Sequence, residues 1–255
     1  MDALLANFDA TTIFLCCAIA VLAGAIKGLV GFAMPMVLIS GLGSFLSPEL
    51  ALAGLILPTL VTNVVQALRQ GLKAAWQSMK RFKLFLLSGG VALMISAQFV
   101  RVLPAEVMLL IIGVSVSAFA LVQLMGGSLG NFRPTPKAEV AVGTFAGVLG
   151  GLSGVWGPPT VAYLTALGTE KREQMRVQGV IYGLGALLLV VAHLGSGVLR
   201  AETTPFSLLL ITPALAGMWL GTRLQSRIDQ KGFRRATLFV LLIASLNLIR
   251  RAIFG

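Results

Sequence analysis

The sequence is poor in charge, and acidic residues are the scarcer charged type. Among 255 residues only 11% are charged, nine are Asp or Glu, one is histidine and two are cysteine. With 57% hydrophobic residues and a mean hydropathy of +0.92, the chain lacks the charged surface that a soluble protein of this length needs. We therefore predict an all-α polytopic membrane protein whose main surroundings are the lipid bilayer.

The scarce residue types also exclude several kinds of chemistry. Cys16 and Cys17 are adjacent in an apolar run, which gives neither a disulfide framework nor metal-ligand spacing. Every Asp and Glu lies in or beside a predicted loop or terminus, so the sequence offers no intramembrane carboxylate as a proton carrier. We predict no metal, no cofactor and no enzyme activity. The net charge of +11 comes from basic residues in short loops, which indicates membrane topology and no nucleic-acid partner.

The sequence does contain an internal repeat. Residues 23–35 return 123 positions later as residues 146–158, with six of the thirteen positions identical, and each copy is an apolar segment broken by glycine and then proline. In membrane proteins, interrupted segments at equivalent positions of two halves are typical of a transporter binding site. The predicted domains are a first membrane repeat (1–130), a linker (131–137) and a second membrane repeat (138–255).

Ten apolar segments follow one another, five in each repeat. Three start with a hydroxyl residue before proline, which is typical of a helix N-terminus: Ser47-Pro48, Thr135-Pro136 and Thr204-Pro205. A membrane span needs about 20 apolar residues, and two segments of the second repeat are shorter. We therefore predict 8 to 10 membrane segments with Gly-rich broken or re-entrant hairpins. The segments are 10–26, 30–46, 49–69, 84–101, 106–126, 138–153, 157–168, 175–198, 205–222 and 235–253.

Lysine and arginine in short loops predict the cytoplasmic side of the membrane. Strongly basic loops follow the third, seventh and ninth segments, whereas the loops after the fourth and eighth segments are nearly neutral. The third and eighth segments are equivalent in the two repeats, as are the fourth and ninth, and only one member of each pair is followed by a strongly basic loop. Equivalent loops therefore lie on opposite sides of the membrane, which predicts two inverted repeats. The basic residues are Arg69, Lys73, Lys80, Arg81 and Lys83, then Lys171, Arg172 and Arg176, then Arg223, Arg227, Lys231, Arg234 and Arg235.

The glycine-rich turns of the two hairpins are candidate anion sites, because helix-end amides favour negative charge. The candidates in these turns are Gly28, Gly31, Ser153, Gly154 and Gly157. The alternative is that glycines spaced four apart let two helices pack closely, and the sequence leaves both open. Trp156, at the second break, is either a site residue or a packing residue.

Several polar side chains within apolar segments are further candidates. Lys27 either holds an anion or snorkels to the cytoplasmic surface. Asn63 and Gln66 are three apart on one helix face and can offer amide donors, or can bridge helices. His193 is a candidate for proton coupling or a structural hydrogen-bond donor. The other candidates for the pathway lining are Thr160, Gln178 and Tyr182.

The two hairpins resemble those of the TauE/SafE sulfite exporter family. The resemblance rests on Gly24-Ala25-Ile26-Lys27-Gly28-Leu29-Val30-Gly31-Phe32 with Pro35, and on Gly147-Val148-Leu149-Gly150-Gly151-Leu152-Ser153-Gly154 with Gly157-Pro158, and it includes the region of Asn63 and Gln66. The chain departs from the commonest pattern at Ala33-Met34 and at Val155-Trp156.

This resemblance implies a secondary transporter or facilitator, working as an exporter, for sulfite, sulfonates, sulfoacetate or related small anions in the bacterial cytoplasmic (inner) membrane. Two other functions stay open at this point. One is a membrane-embedded enzyme or helper subunit of sulfur metabolism, for which Cys16 and Cys17 are the only nucleophile candidates. The other is a passive anion channel.

Overall fold

The computed structural model describes residues 8–126, 135–169, 171–224 and 230–254. These residues are helical almost throughout, and no strand occurs among them. Most of the predicted linker and the predicted loop residue Arg227 lie outside the described ranges. The helices are α1 (Ala10–Val30), α2 (Met34–Leu42), α3 (Pro48–Leu68), α4 (Leu72–Arg81), α5 (Lys83–Ser96), α6 (Ala105–Leu124), α7 (Pro136–Ser153), α8 (Gly157–Ala166), α9 (Lys171–Ser196), α10 (Thr204–Leu209), α11 (Ile211–Leu224) and α12 (Gln230–Phe254).

Five stretches within the described ranges are long and apolar enough to cross a membrane: α1, α3, α6, most of α9, and α10 with α11. A sixth candidate is the pair α4 and α5, which is bent by 80°. For the described residues, the predicted all-α fold with several candidate membrane spans is thus confirmed. The finer count of 8 to 10 membrane segments stays a prediction.

The first hairpin consists of α1 and the short helix α2, and the second consists of α7 and the short helix α8. Helices α2 and α8 have nine and ten residues, which corresponds to about 13–15 Å at 1.5 Å per residue. Neither helix alone can cross a hydrocarbon core of about 30 Å. Non-helical turns therefore lie beside both short helices.

Two local predictions about helix boundaries were wrong. The basic segment after α3 is not a plain loop, because Leu72, Ala75, Trp76 and Met79 recur at helical spacing and form one face of α4. Thr204 does not cap its helix through its side chain: its hydroxyl donates to the Arg200 carbonyl, one turn earlier. By contrast, Ser47 and Thr135 accept hydrogen bonds from backbone amides, as predicted.

Four helix pairs make the most extensive contacts between elements. They are α1 with α11, α5 with α7, α3 with α9, and α6 with α12. Backbone contact at glycine brings the first two pairs close: Gly24 and Gly28 lie against α11, and Gly147 and Gly151 lie against α5 and the 3-10 turn that follows it. The α3 and α9 pair is largely buried and carries five of the thirteen candidate site residues: Asn63, Gln66, Gln178, Tyr182 and His193.

Candidate functional site

The first hairpin breaks at Gly31, directly after α1. Gly31 has φ of +83° and its backbone amide donates to the Lys27 carbonyl, which closes the helix. Two residues later, Ala33 is buried with φ of +74°. A left-handed conformation is uncommon for a residue with a Cβ, and such strain concentrates at functional sites.

Lys27 lies one turn before this break and is only 2% exposed. Its ammonium donates a hydrogen bond to Asn63 Oδ1, and Asn63 Nδ2 donates to the Tyr182 carbonyl at 3.3 Å. Within the described ranges no Asp or Glu forms an ion pair with Lys27. A snorkelling lysine would expose its ammonium, so the buried position does not fit an ordinary surface anchor.

Gln66 connects the same break to α9. Its Nε2 donates to the Gly31 carbonyl at 2.9 Å and to the Met175 carbonyl at 3.1 Å. Gln178 is buried on α9, and a Cβ added at Gly31 would lie 3.7 Å from its Oε1. We refer to Lys27, Asn63, Gln66, Gln178 and Tyr182 as the lysine cluster.

Three buried oxygen atoms in and beside the lysine cluster have no hydrogen-bond partner among the described residues. They are Gln66 Oε1, Gln178 Oε1 and Thr59 Oγ1. Buried polar atoms are nearly always paired, so unpaired ones mark a place for water or a ligand. Thr59 is a candidate that sequence reasoning missed, although its spacing of four and seven from Asn63 and Gln66 places all three on one face of α3.

The second hairpin breaks at Gly154, with the same backbone geometry. Gly154 has φ of +71° and donates to the Gly150 carbonyl. The hydroxyl of Ser153 donates to the Leu149 carbonyl and accepts from the Val155 amide. Thr160 donates to the Trp156 carbonyl. Both hydroxyls thus bond to backbone of their own hairpin.

Trp156 and Gly157 connect the second break to α9. The Trp156 ring lies against Gly150 and Gly185, and its centroid is 6.4 Å from that of Tyr182. The Tyr182 hydroxyl donates to the Gly157 carbonyl at 3.4 Å. Tyr182 therefore contacts both the second break and, through its own carbonyl, Asn63.

The two breaks touch α3 at different depths. Gly154 packs against Leu55, whereas Gly31 is bonded to Gln66. These contact points are eleven residues apart, or about 16 Å along the helix axis. The lysine cluster is therefore built on the first break, and the candidates Ser153, Gly154, Trp156, Gly157 and Thr160 form a second group that Tyr182 joins to it.

Two candidates lie elsewhere. Gly28 sits in the contact between α1 and α11, where an added Cβ would overlap the Met218 carbonyl oxygen. His193 is buried, with Nδ1 2.9 Å from Ser196 Oγ and Nε2 3.1 Å from the Gly151 carbonyl. Its ring thus links α9 to the second hairpin. Over the described part of the chain, no group of three or more His, Cys, Asp or Glu residues is placed to hold a metal ion.

Comparison with known protein families gives a match over most of the chain. The family model described as sulfite exporter TauE/SafE matches residues 16–248. No curated protein and no solved structure matches the chain. The matched range contains both hairpin breaks and every member of the lysine cluster.

Proposed function

Because this chain belongs to the sulfite exporter TauE/SafE family, we propose that it is a secondary transporter or facilitator that exports small sulfur-containing anions such as sulfite, sulfonates or sulfoacetate. We place it in the cytoplasmic membrane of a bacterium. The family is one of membrane transporters, in agreement with the prediction that the chain is not an enzyme.

The observation that carries this proposal is that Lys27 is buried and forms no ion pair with any Asp or Glu of the described residues. An ammonium ion removed from water loses several kcal/mol of hydration, which a neutral amide such as Asn63 compensates only in part. Ionisable groups at membrane depth commonly mark substrate pathways. A small oxyanion beside Lys27 would supply the missing negative charge.

The groups around Lys27 suit an oxyanion of a few atoms. A lysine ammonium has three donors, of which Asn63 Oδ1 takes one. The Thr59 hydroxyl, one turn from Asn63, can donate to a second oxygen. Gln66 holds the break in place through the Gly31 carbonyl, so its proposed role is to position the site. We propose that Trp156, Gly157 and Tyr182 form the wall that separates the bound anion from the opposite face of the membrane.

Inverted repeats and alternating access belong to this proposal. If the repeats are equivalent, α1 corresponds to α7, α5 to α11, α3 to α9 and α6 to α12. Exchanging the halves then turns the pair α1 with α11 into the pair α7 with α5, and leaves the pairs α3 with α9 and α6 with α12 unchanged. This pattern supports a two-fold relation, as expected when one repeat moves against the other.

The lysine cluster lies near the predicted cytoplasmic end of α3. Asn63 and Gln66 lie in the half of α3 that ends at Leu68, next to the basic segment with Lys73 and Lys80. This segment is predicted to be cytoplasmic. Basic residues there would raise the local anion concentration at this entrance and so speed loading from the cytoplasmic side. The direction itself, export, is proposed from the family.

The proposal is tested by flux through purified protein in liposomes. We expect saturable flux of sulfite, competition by small sulfonates and weaker competition by carboxylates. We also expect flux without an imposed pH gradient, because every Asp and Glu of the sequence lies in or beside a predicted loop or terminus. Flux that rises linearly with concentration would instead indicate a channel, and folded protein without flux of any panel member would contradict the proposed substrate class.

A further inference from the structure

Helix α4 has a different chemistry on each of its faces. Leu72, Ala75, Trp76 and Met79 form an apolar stripe. On another face, Ser78 accepts a hydrogen bond from Arg176 Nε at 3.1 Å. Arg81 forms a 2.6 Å ion pair with Glu173. These contacts with α9 fix the rotation of α4, so the apolar stripe stays turned away from them.

Two apolar grooves lie side by side beneath this stripe. The first, of about 370 Å³, runs between α5, α7 and α9 with Trp156 in its lining. The second, of about 340 Å³, runs between α3, α4 and α9. Met79, Leu184 and Leu187 line both grooves and form the ridge between them. Each volume is within the range of ligand sites.

The surface around the grooves is made for lipid contact. Leu72 is 75% exposed and Trp76 is 54% exposed. The chain turns by 80° between α4 and α5, so α4 lies across the direction of α5. An exposed apolar stripe on a basic helix that lies across the membrane helices is typical of a helix in the membrane interface.

Basic side chains stand at one end of this surface. Lys83 lines the first groove, and Lys80 Nζ lies 5.4 Å from the centroid of the Trp76 ring. Both lysines are exposed. They belong to the segment predicted to face the cytoplasm, where the leaflet carries anionic lipid headgroups and basic pockets between helices bind them.

We propose that the two grooves are a binding site for one anionic diacyl phospholipid. Each groove receives one acyl chain, the ridge of Met79, Leu184 and Leu187 separates the chains, and Lys80 and Lys83 hold the phosphate. The twin shape fits two chains on one headgroup. The paired lysines select a negatively charged headgroup over a zwitterionic one. A second copy of this chain fits this surface less well, because it would bring the same basic helix and a net charge of +11 against Lys80 and Lys83.

The headgroup assignment is tested by native mass spectrometry of the purified chain titrated with phosphatidylglycerol or phosphatidylcholine of the same acyl chains. We expect tighter binding of phosphatidylglycerol to the wild type. The double variant Lys80→Gln with Lys83→Gln should lose roughly thirtyfold in affinity for it, at the usual attraction per basic residue. The matched double variant Arg101→Gln with Arg250→Gln removes equal charge outside both grooves and should bind like the wild type. Equal binding of the two lipids to the wild type, or equal loss in both double variants, would overturn the proposal.

The groove assignment is tested separately by a larger side chain on the ridge, which fills the adjoining grooves. Leu187 is 50% exposed and Leu194, seven residues on along the same helix face, is 58% exposed. Leu187→Trp should abolish binding of both lipids, whereas Leu194→Trp should leave it intact. Unchanged lipid binding in Leu187→Trp would exclude the grooves. A dimeric wild type that only Leu187→Trp converts to a monomer would show that a second copy covers this face, which would also contradict the proposal.

Discussion

At the scale of single residues, the two hairpins carry their large side chains at different positions of the repeat. Position 27 is a lysine where the repeat-equivalent position 150 is a glycine, and position 33 is an alanine where position 156 is a tryptophan. The Trp156 ring covers Gly150, so the second hairpin fills this region with an aromatic ring. The first hairpin has instead a long cation and a strained alanine. Lys27 therefore places a positive charge near the first break, whereas the equivalent position of the second hairpin, Gly150, has no side chain to do so.

His193 has the contacts of a structural residue. Both ring nitrogens have partners, Ser196 and the Gly151 carbonyl, and the ring is buried. We expect His193→Phe to lower the free energy of unfolding by about 1–3 kcal/mol, because the Gly151 carbonyl loses its bond. The response of flux to a pH gradient should stay as in the wild type.

Ser196→Ala is the matched control for this variant, because it removes one of the two bonds and leaves the imidazole in place. Thermal unfolding in detergent and flux in liposomes measure the two effects. A normal stability together with a lost gradient response in His193→Phe would show that the histidine carries protons after all.

At the scale of elements, glycine sets how closely the helices approach. A methyl group added at Gly147 would overlap the Gly89 carbonyl oxygen across the contact between α7 and α5. We expect Gly147→Ala to destabilise the protein by about 1–3 kcal/mol, since a packed backbone must move to accept it. Thermal unfolding of the purified variant measures this cost.

Gly183 is the matched control for this helix contact. A Cβ at Gly183 would lie no closer than 3.8 Å to its nearest neighbour. Gly183→Ala should therefore be neutral or slightly stabilising, because alanine favours the helix over glycine. Equal melting temperatures for Gly147→Ala and Gly183→Ala would contradict the close approach of α5 and α7.

Much of the element level could be predicted from the sequence. Helices cover the ten apolar segments, because long apolar runs and proline-preceding hydroxyls are local signals. The glycines were open to two interpretations, since a four-residue spacing looks the same in a helix contact and in a ligand-binding turn. Gly28, Gly147 and Gly151 lie in helix contacts, whereas Gly31 and Gly154 form the turns.

The side-chain contacts of the site were predictable only in part. Lys27, Asn63, Gln66, Gln178 and Tyr182 stand out as polar residues in apolar segments, and the structure brings them together. The hydroxyls of Ser153 and Thr160 bond to their own backbone, a choice that depends on side-chain rotation and not on sequence spacing.

At the scale of the whole molecule, the proposed inversion requires equivalent loops to face opposite sides of the membrane. Lys73 follows α3 and Glu202 follows α9, and both are exposed. With Cys16 and Cys17 replaced by alanine, we expect Lys73→Cys to react with an impermeant thiol reagent only from the cytoplasmic side. Glu202→Cys should react only from outside.

Labelling of both positions from the same side would contradict the inverted arrangement, and with it the two-fold relation between the halves. Labelling on opposite sides but with Glu202→Cys inside would reverse the predicted orientation while keeping the inversion. The comparison is made in intact cells and in inverted vesicles, so each position is tested from both sides.

Anion recognition by Lys27 is tested most directly by concentration-dependent sulfite flux in liposomes that contain Lys27→Met. This substitution keeps an unbranched side chain of similar length and removes the charge. We expect kcat/KM for sulfite to fall at least about thirtyfold, since losing a buried charge that contacts a ligand costs 2 kcal/mol or more. The exposed Lys137→Met serves as the control and should keep wild-type flux. Wild-type saturation kinetics in folded Lys27→Met protein would contradict anion binding at Lys27.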